Sequence, residues 1–127
     1  MEDFVTFEIA KKLKEKGFSQ RSFGEYDMQG ACYIEDGRFY KNGCITEVAR
    51  AYTAPTIYQV LKWLREEKDI DLVISPVFFY DDVLGKMREY GCKVFTPSLN
   101  KPEHCGYHEE WEQAALAGIE YVLDNLI

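Results

Sequence analysis

Two histidines and a cysteine form the most compact cluster of reactive side chains in the sequence. His104, Cys105 and His108 lie within five residues, and twelve residues separate Cys92 from Cys105. Zinc prefers tetrahedral sets of nitrogen and sulfur ligands, which usually come as two closely spaced pairs. Because a second ligand pair is missing, these residues are only weak metal-ligand candidates. We therefore predict no metal site and no cofactor.

A cysteine nucleophile is the second chemistry to consider. It needs a neighbouring base, a lowered thiol pKa and a group that orients the base. Cys105 has histidines beside it in sequence, but no orienting group can be identified. Cys32, Cys44 and Cys92 lie in strand-like runs, where cysteine mostly packs as a small apolar side chain. We predict no catalytic residue.

Adjacent carboxylates occur three times, but their spacing does not favour acid–base catalysis. Neighbouring residues on a strand point to opposite faces, and neighbouring residues on a helix do not face each other. We interpret these pairs as turn residues and solvated faces: Glu66-Glu67, Asp81-Asp82 and Glu109-Glu110. The sequence also lacks the glycine-rich phosphate loops of nucleotide-binding proteins and the G-x-S-x-G turn of hydrolases.

Aromatic side chains give the strongest functional signal in the sequence. The chain has nine Tyr, eight Phe and two Trp, with runs at residues 39–40 and 78–80. On a strand, half of such side chains face the core and half face outward, where they can form a partner-binding patch. We predict an interaction surface that includes Phe39, Tyr40, Trp63 and Phe79. The competing interpretation is a sheet core covered by a helix.

The charge of the chain is negative and unevenly distributed. With 15 basic and 22 acidic residues, the net charge is −7. Residues 100–127 hold six acids and one base, giving −5, and the remaining residues give −2. This excess of acid argues against broad binding to nucleic-acid phosphates. The lysines at positions 11, 12, 14 and 16 are interpreted as a solvated helix face.

Length and composition favour one domain that spans residues 1–127. A chain of 127 residues is long enough to build a core without disulfides or metals. No segment reaches the roughly 18 apolar residues that cross a bilayer, and the N-terminus does not resemble a secretory signal. We therefore expect a cytoplasmic protein with reduced cysteines and no membrane partner.

Three helices are predicted from apolar periodicity and capping residues. The first lies within residues 3–16, begins at Asp3 or Thr6 and ends at Gly17. The second begins at a capping box that pairs Thr56 with Gln59, and it ends near residue 68. The third spans about residues 109–125. A glycine inside this third helix, Gly118, predicts a close neighbour such as a strand.

Strands are predicted between these helices. The first group is a hairpin of residues 31–34 and 38–41 around Asp36-Gly37, followed by a strand at 44–48. The second group is a strand at 70–80, in which Pro76 indicates an edge or bulge, and a strand at 87–96. Residues 82–91 also suit a short helix, and residues 98–107 are interpreted as a loop. The order α-β-β-(β)-α-β-β-α indicates an α+β fold with a mainly antiparallel sheet of four or five strands.

Three stretches of the sequence carry a resemblance to a known family. They are residues 7–18, residues 54–66, and residues 111–119 together with the end of the chain at 124–127. They resemble a family of small uncharacterised proteins from Bacteroidetes and their phages or prophages. Residues 76–107 depart most from the family's pattern. The resemblance implies a phage-associated context, and the family has no assigned activity, cofactor or catalytic residue to carry over.

The sequence thus favours a non-enzymatic accessory protein of a phage or mobile element that acts by protein–protein contact. A homodimer is one form that this contact can take. The first alternative is a metal-dependent or cysteine enzyme that uses His104, Cys105 and His108. The second is an acidic protein that mimics nucleic acid.

Overall fold

The described part of the chain contains three helices and six strands. The computed structural model describes residues 4–18, 24–27, 32–34 and 50–127. In chain order the elements are α1 (Phe7–Glu15), β1 (Gly24–Asp27), β2 (Cys32–Ile34), β3 (Arg50–Ala54), α2 (Ile57–Lys68), β4 (Asp71–Asp81), β5 (Gly85–Phe95), β6 (Glu103–His108) and α3 (Trp111–Asn125). The α+β class, the three helices and the antiparallel pairing are confirmed.

The strands form two sheets rather than one. Their orders are β2-β1-β3 and β4-β5-β6, so the prediction of a single sheet of four or five strands is wrong. The observed order of elements is α-β-β-β-α-β-β-β-α. The chain also divides into two compact units, residues 1–59 and 60–127, which we describe separately. That residues 1–127 behave as one domain stays a prediction.

The first unit begins with α1, whose ends follow the predicted caps. The Thr6 hydroxyl accepts from the Ile9 amide at 3.3 Å, so Thr6 is the N-cap. After the helix, Gly17 has φ +92°, a conformation that glycine adopts without steric penalty. The Phe18 amide then donates to the Leu13 carbonyl at 2.9 Å and folds Phe18 back over the helix end. The buried side of α1 carries Ile9, Ala10 and Leu13.

The sheet of the first unit was only partly predictable. β1 pairs antiparallel with both β2 and β3, and Gly24 lies opposite Ile34 and Ala54. The predicted strand at 31–34 is confirmed for residues 32–34. No strand is predicted for residues 24–27, because Gly-Glu-Tyr-Asp shows no apolar alternation, yet they form β1. The hairpin partner at 38–41, the Asp36-Gly37 turn and the strand at 44–48 lie outside the described residues.

Helix α2 begins at the predicted capping box. The Thr56 amide donates to the Gln59 side-chain oxygen at 2.9 Å, and the Gln59 amide donates to the Thr56 hydroxyl at 3.2 Å. Both bonds satisfy amides that the helix itself leaves unpaired. The helix ends at Lys68, as predicted, and Asp69 follows with φ 55°. No helix in the described residues is long and apolar enough to cross a membrane.

The second unit is built on a long hairpin. β4 and β5 pair without interruption from Asp71↔Phe95 to Asp81↔Gly85, which confirms both predicted strands. Pro76 lies on β4, an edge strand of this sheet, where its missing amide hydrogen is tolerated. β6 occupies residues 103–108, so the predicted loop is wrong there. A register shift opposite Gly106, which has φ +99°, disrupts the alternation that would have revealed this strand.

Helix α3 packs on the inner part of this sheet, which is the part farther from the β4–β5 turn and contains Leu72 and Cys92. A Cβ built on Gly118 would collide with Cys92 Sγ and lie 3.3 Å from Leu72 Cδ2. The close strand neighbour predicted for this glycine is therefore confirmed. The residues that α3 buries are Ala114, Ala115, Gly118, Ile119, Val122 and Leu123.

Candidate interaction site on the β4–β5 hairpin

The β4–β5 hairpin extends beyond the end of β6, the strand that pairs with β5. The last residue of β6, His108, pairs with Tyr90. β5 residues before Tyr90 therefore pair with β4 alone. We call residues 77–89 the arm. It is a two-stranded ribbon with the β4–β5 turn at its tip.

Large apolar side chains are concentrated on the arm. Nine large apolar residues are exposed in the part of the chain that the structure describes, and five of them lie here. Their exposed fractions are 69% for Phe78, 40% for Phe79, 74% for Tyr80, 89% for Val83 and 70% for Leu84. A concentration of exposed apolar side chains of this kind typically marks an interaction site.

One face of the arm combines aromatic and basic side chains. Side chains alternate along a strand, so Phe78 and Tyr80 share the face on which Leu72 contacts α3. Directly opposite them on β5 lie Arg88 and Lys86, both exposed. The Arg88 guanidinium lies 5.3 Å from the centre of the Tyr90 ring. We call Phe78, Tyr80, Lys86, Arg88 and Tyr90 the basic–aromatic face.

The tip of the arm is held by one carboxylate. Asp81 accepts hydrogen bonds from the Val83 amide at 2.8 Å and the Leu84 amide at 2.9 Å. These two bonds hold the pKa of Asp81 below its ordinary value, and the bond from Leu84 has the larger effect. Gly85, with φ +81°, completes the turn. The turn therefore presents Val83 and Leu84 in a defined geometry.

The four interaction residues predicted from sequence have different positions. Phe79 lies on the arm and is partly exposed. Trp63 is only 5% exposed, because it lies on the buried side of α2, so its ring offers no free surface. Phe39 and Tyr40 lie outside the described residues. Four further exposed residues of the arm were not among the predicted interaction residues: Phe78, Tyr80, Val83 and Leu84. The sequence signal for them is the aromatic run beside the Asp81-Asp82 turn.

The His104–Cys105–His108 cluster does not converge. The His104 ring packs on Tyr107, with ring centres 4.5 Å apart, and its Nδ1 accepts from the Gly106 amide at 3.1 Å. Cys105 instead forms a hydrogen bond with Cys92, on the face that carries α3. No group of three His, Cys, Asp or Glu residues in the described ranges is arranged to hold a metal ion.

The two thiols of this region are poorly suited to nucleophilic attack. The pKa of Cys92 is raised from 9.0 to about 12. Burial is the largest cause, and the charge of Cys105 and its hydrogen bond with Cys92 add to it. Burial also raises the pKa of Cys105. A reactive cysteine needs the opposite shift, because the thiolate is the nucleophile.

An open cleft of about 610 Å³ lies at the other end of the hairpin, beside the β5–β6 connection. Phe95 and three prolyl or leucyl side chains supply its apolar lining. Its charged lining residues are Arg65, Asp69, Asp71 and Lys101. Two residues of each sign give no net charge that would select a charged ligand, so the arm remains the stronger candidate site.

Comparisons of the chain with protein-family models, with curated proteins and with solved structures found no match. The resemblance to phage and prophage proteins of Bacteroidetes therefore stays a prediction.

Proposed function

We propose that this protein acts by protein–protein contact through the arm, as a non-enzymatic accessory protein of a phage or mobile element. The observation that carries the proposal is the set of five exposed apolar side chains on one two-stranded ribbon. In the described chain, folding buries little of the apolar surface of these side chains. Covering them with a partner removes apolar surface from water, which is favourable by about 25 cal/mol per Å².

The residue types of the arm are those that contribute most at protein interfaces. Aromatic residues and arginine are enriched at interfaces, and tyrosine and arginine are frequent among the few residues that dominate binding energy. On the arm, Phe78, Tyr80 and Arg88 supply these types within one face. This supports a protein partner over a small-molecule ligand, because the face is open and ribbon-shaped rather than concave.

The backbone of the arm also favours binding. Every residue from Val77 to Asp81 has a partner on β5, and Asp81 fixes the turn by two hydrogen bonds. A ribbon that is already ordered loses little conformational entropy when a partner docks. The arm is therefore a preorganised contact element.

The enzyme alternative has weaker support. It requires a base near a thiol of low pKa. Here His104 and Cys105 contact different neighbours, and the thiol pKa values are raised. No observation on the described residues favours the nucleic-acid mimic over a contact protein.

Site-specific photo-crosslinking tests the proposal. The photoreactive residue p-benzoylphenylalanine is placed at Tyr80 or, as a control, at Tyr58 of α2, two positions that are 74% and 70% exposed. In the cells that carry the gene, we expect discrete covalent adducts from position 80 and none from position 58. Adducts from neither position, or equally from both, would overturn the proposal.

A second pair of variants tests whether the arm itself provides the contact. With the photoreactive residue at position 80, Phe78→Ser should lower the adduct yield several-fold, because it removes the neighbouring aromatic surface. Val73→Ser is the matched control, since Val73 is also exposed but lies on the inner part of β4. An equal effect of the two substitutions would contradict a contact centred on the arm.

A further inference from the structure

The outer edge of β4 is open for pairing with a further strand. β4 lies at one side of the β4-β5-β6 sheet, so it pairs with β5 alone. Outside this strand pairing, neither Phe78 nor Tyr80 forms a backbone hydrogen bond with another described residue. Such an edge presents a row of unpaired amides and carbonyls, which an extended polypeptide can join as an additional strand.

Pro76 indicates which backbone groups point outward. In an antiparallel ladder, each residue directs its amide and its carbonyl to the same side, and successive residues alternate between the two sides. The β4–β5 pairing continues through Pro76, which has no amide hydrogen, so its set of alternate residues points away from β5. Phe78 and Tyr80 belong to this set, and their amides and carbonyls therefore face the open side of β4.

Most of the usual protection of an edge strand is missing from β4. Proteins commonly protect such edges with charged side chains, proline or bulges. Residues 72–80 contain no charged side chain, and the β4–β5 register has no bulge. Pro76 is the exception. On its tip side the open edge continues over residues 77–81, which is an ordinary length for a strand.

The exposed aromatic side chains of β4 lie on both faces of the arm. Phe78 and Tyr80 share one face, and Phe79 lies on the other. A partner that docks flat on one face leaves the aromatic surface of the other face in water. A strand added at the edge of β4 lies beside all three side chains, because its own side chains alternate between the same two faces. One such contact covers both faces.

We propose that the arm binds an extended segment of a different protein, which adds to the sheet as a fourth strand beside β4. The inference rests on the proposed function, because it takes the arm to be a protein-contact surface, and it specifies the form of the contact. The segment pairs with residues 77–81. Its apolar side chains contact Phe78 and Tyr80 on one face and Phe79 on the other.

The charges beside this edge favour a segment that carries a basic residue. Asp82 follows β4 at the tip, is exposed and forms no ion pair with another described residue. The whole chain has a net charge of −7, which attracts a basic partner. Lys86 and Arg88 lie on β5, whose backbone is two strand spacings, or about 10 Å, from the added strand. β4 contains no basic residue, so a second copy paired through the same edge does not supply this charge.

Proline substitution at the edge separates strand addition from side-chain contact. With p-benzoylphenylalanine at position 80, Phe78→Ala and Phe78→Pro both remove the aromatic ring, but only Phe78→Pro also removes the outward amide hydrogen. The proline fits this edge for the same reason as Pro76. We expect Phe78→Pro to lower the adduct yield at least about tenfold below that of Phe78→Ala, because a carbonyl of the bound segment loses its donor. Equal yields from the two variants would overturn strand addition.

Hydrogen exchange provides a second test that needs no proline. In the purified adduct, the amides of residues 78 and 80 should exchange at least about tenfold more slowly than in the free chain. The amides of Val77 and Phe79 point toward β5, so their exchange should change less. Unchanged exchange at residues 78 and 80 would overturn strand addition even if Phe78→Pro disturbs the hairpin.

Asp82→Lys tests the charge of the bound segment. It should lower the adduct yield several-fold, because it places a cation beside the basic residue of the segment. Glu67→Lys is the control with the same change in net charge at an exposed position of α2, and it should leave the yield unchanged. Equal yields from the two variants would overturn a basic segment as the partner.

The mass of the adduct identifies the kind of partner and separates this inference from the proposed function. An adduct that contains a different protein supports both. An adduct of twice the chain mass of 14.8 kDa overturns a different protein as the partner and leaves the proposed function standing. No adduct from the wild-type background overturns both.

Discussion

The inner and outer parts of the β4–β5 hairpin have the same strands and the same register but opposite surroundings. In the inner part, Cys92 and Val94 are 0% exposed beneath α3, whereas in the arm Phe78 and Tyr80 are 69% and 74% exposed. Backbone pairing is complete in both. Backbone pairing forms the strands in both parts, whereas burial beneath a helix determines whether their side chains stabilise the fold. The large apolar side chains of the arm stay exposed instead.

The largest expected effect is a difference in unfolding free energy between a variant beneath α3 and a variant on the arm. Ile119→Ala removes a fully buried side chain of α3 and should lower the free energy of unfolding by about 2–5 kcal/mol, through lost burial and a residual cavity. Phe78→Ala on the arm should change it by no more than about 0.5 kcal/mol in dilute solution. Urea unfolding of both variants measures this. Similar losses for the two would break the comparison.

The next effect tests the contact between α3 and the sheet. Gly118→Ala gains about 1 kcal/mol of helix propensity but forces a methyl group against Cys92 Sγ. Because overpacking typically costs about 1–3 kcal/mol, we expect a net loss of about 1 kcal/mol.

In a Cys92→Ala background the same Gly118→Ala change should be stabilising, because the colliding sulfur is gone. This reversal of sign in a double-mutant cycle identifies the contact. If Gly118→Ala destabilises both backgrounds equally, Cys92 is not the limiting neighbour.

A pH dependence follows from the buried thiol in the inner part. The pKa of Cys92 is raised from 9.0 to about 12 in the folded chain, mainly by burial. Between these values the unfolded chain releases the thiol proton while the folded chain retains it, so stability is full below pH 9 and falls as the pH rises toward 12.

The difference in unfolding free energy between wild type and Cys92→Ala, measured from pH 8 to the highest tractable pH, isolates this group from other titrating residues. The wild-type chain should lose more stability than the variant over this range. Parallel curves for the two proteins would contradict a shifted Cys92 pKa.

Local signals predicted the elements whose ends are built from neighbouring residues. The Thr56–Gln59 capping box and the Gly17 cap each depend on a few adjacent positions, and both formed as expected. Strand β6 was missed because Gly106 and the register shift interrupt its alternation. The division into two sheets could not be inferred, because strand partners are set by packing between distant residues.

The same limit applies to the site. The aromatic run at 78–80 is visible in the sequence, and alternation predicted that half of it faces the core. Phe78 and Tyr80 are exposed because α3 packs on the inner part of the sheet, and Phe79 is exposed on the opposite face. How far a helix extends over a sheet depends on tertiary packing, which no spacing within residues 70–90 encodes.

The smallest effect concerns the tip of the arm. Asp81→Ala removes the acceptor for the Val83 and Leu84 amides. Hydrogen exchange of these two amides should therefore accelerate, while the amide of Cys92 in the inner part should keep its protection. In the wild-type chain the same acceleration should appear as the pH falls through the lowered Asp81 pKa, because a protonated carboxyl is a weaker acceptor. Unchanged exchange at Val83 and Leu84 would show that another group holds the turn.

The central claim is that the arm is a protein-contact surface. Its most direct test is the yield of photo-crosslinked adducts from Tyr80 relative to Tyr58, two tyrosines of similar exposure on different elements. We predict discrete adducts from position 80 and none from position 58. Equal yields at the two positions, or no adduct from position 80, would contradict the claim.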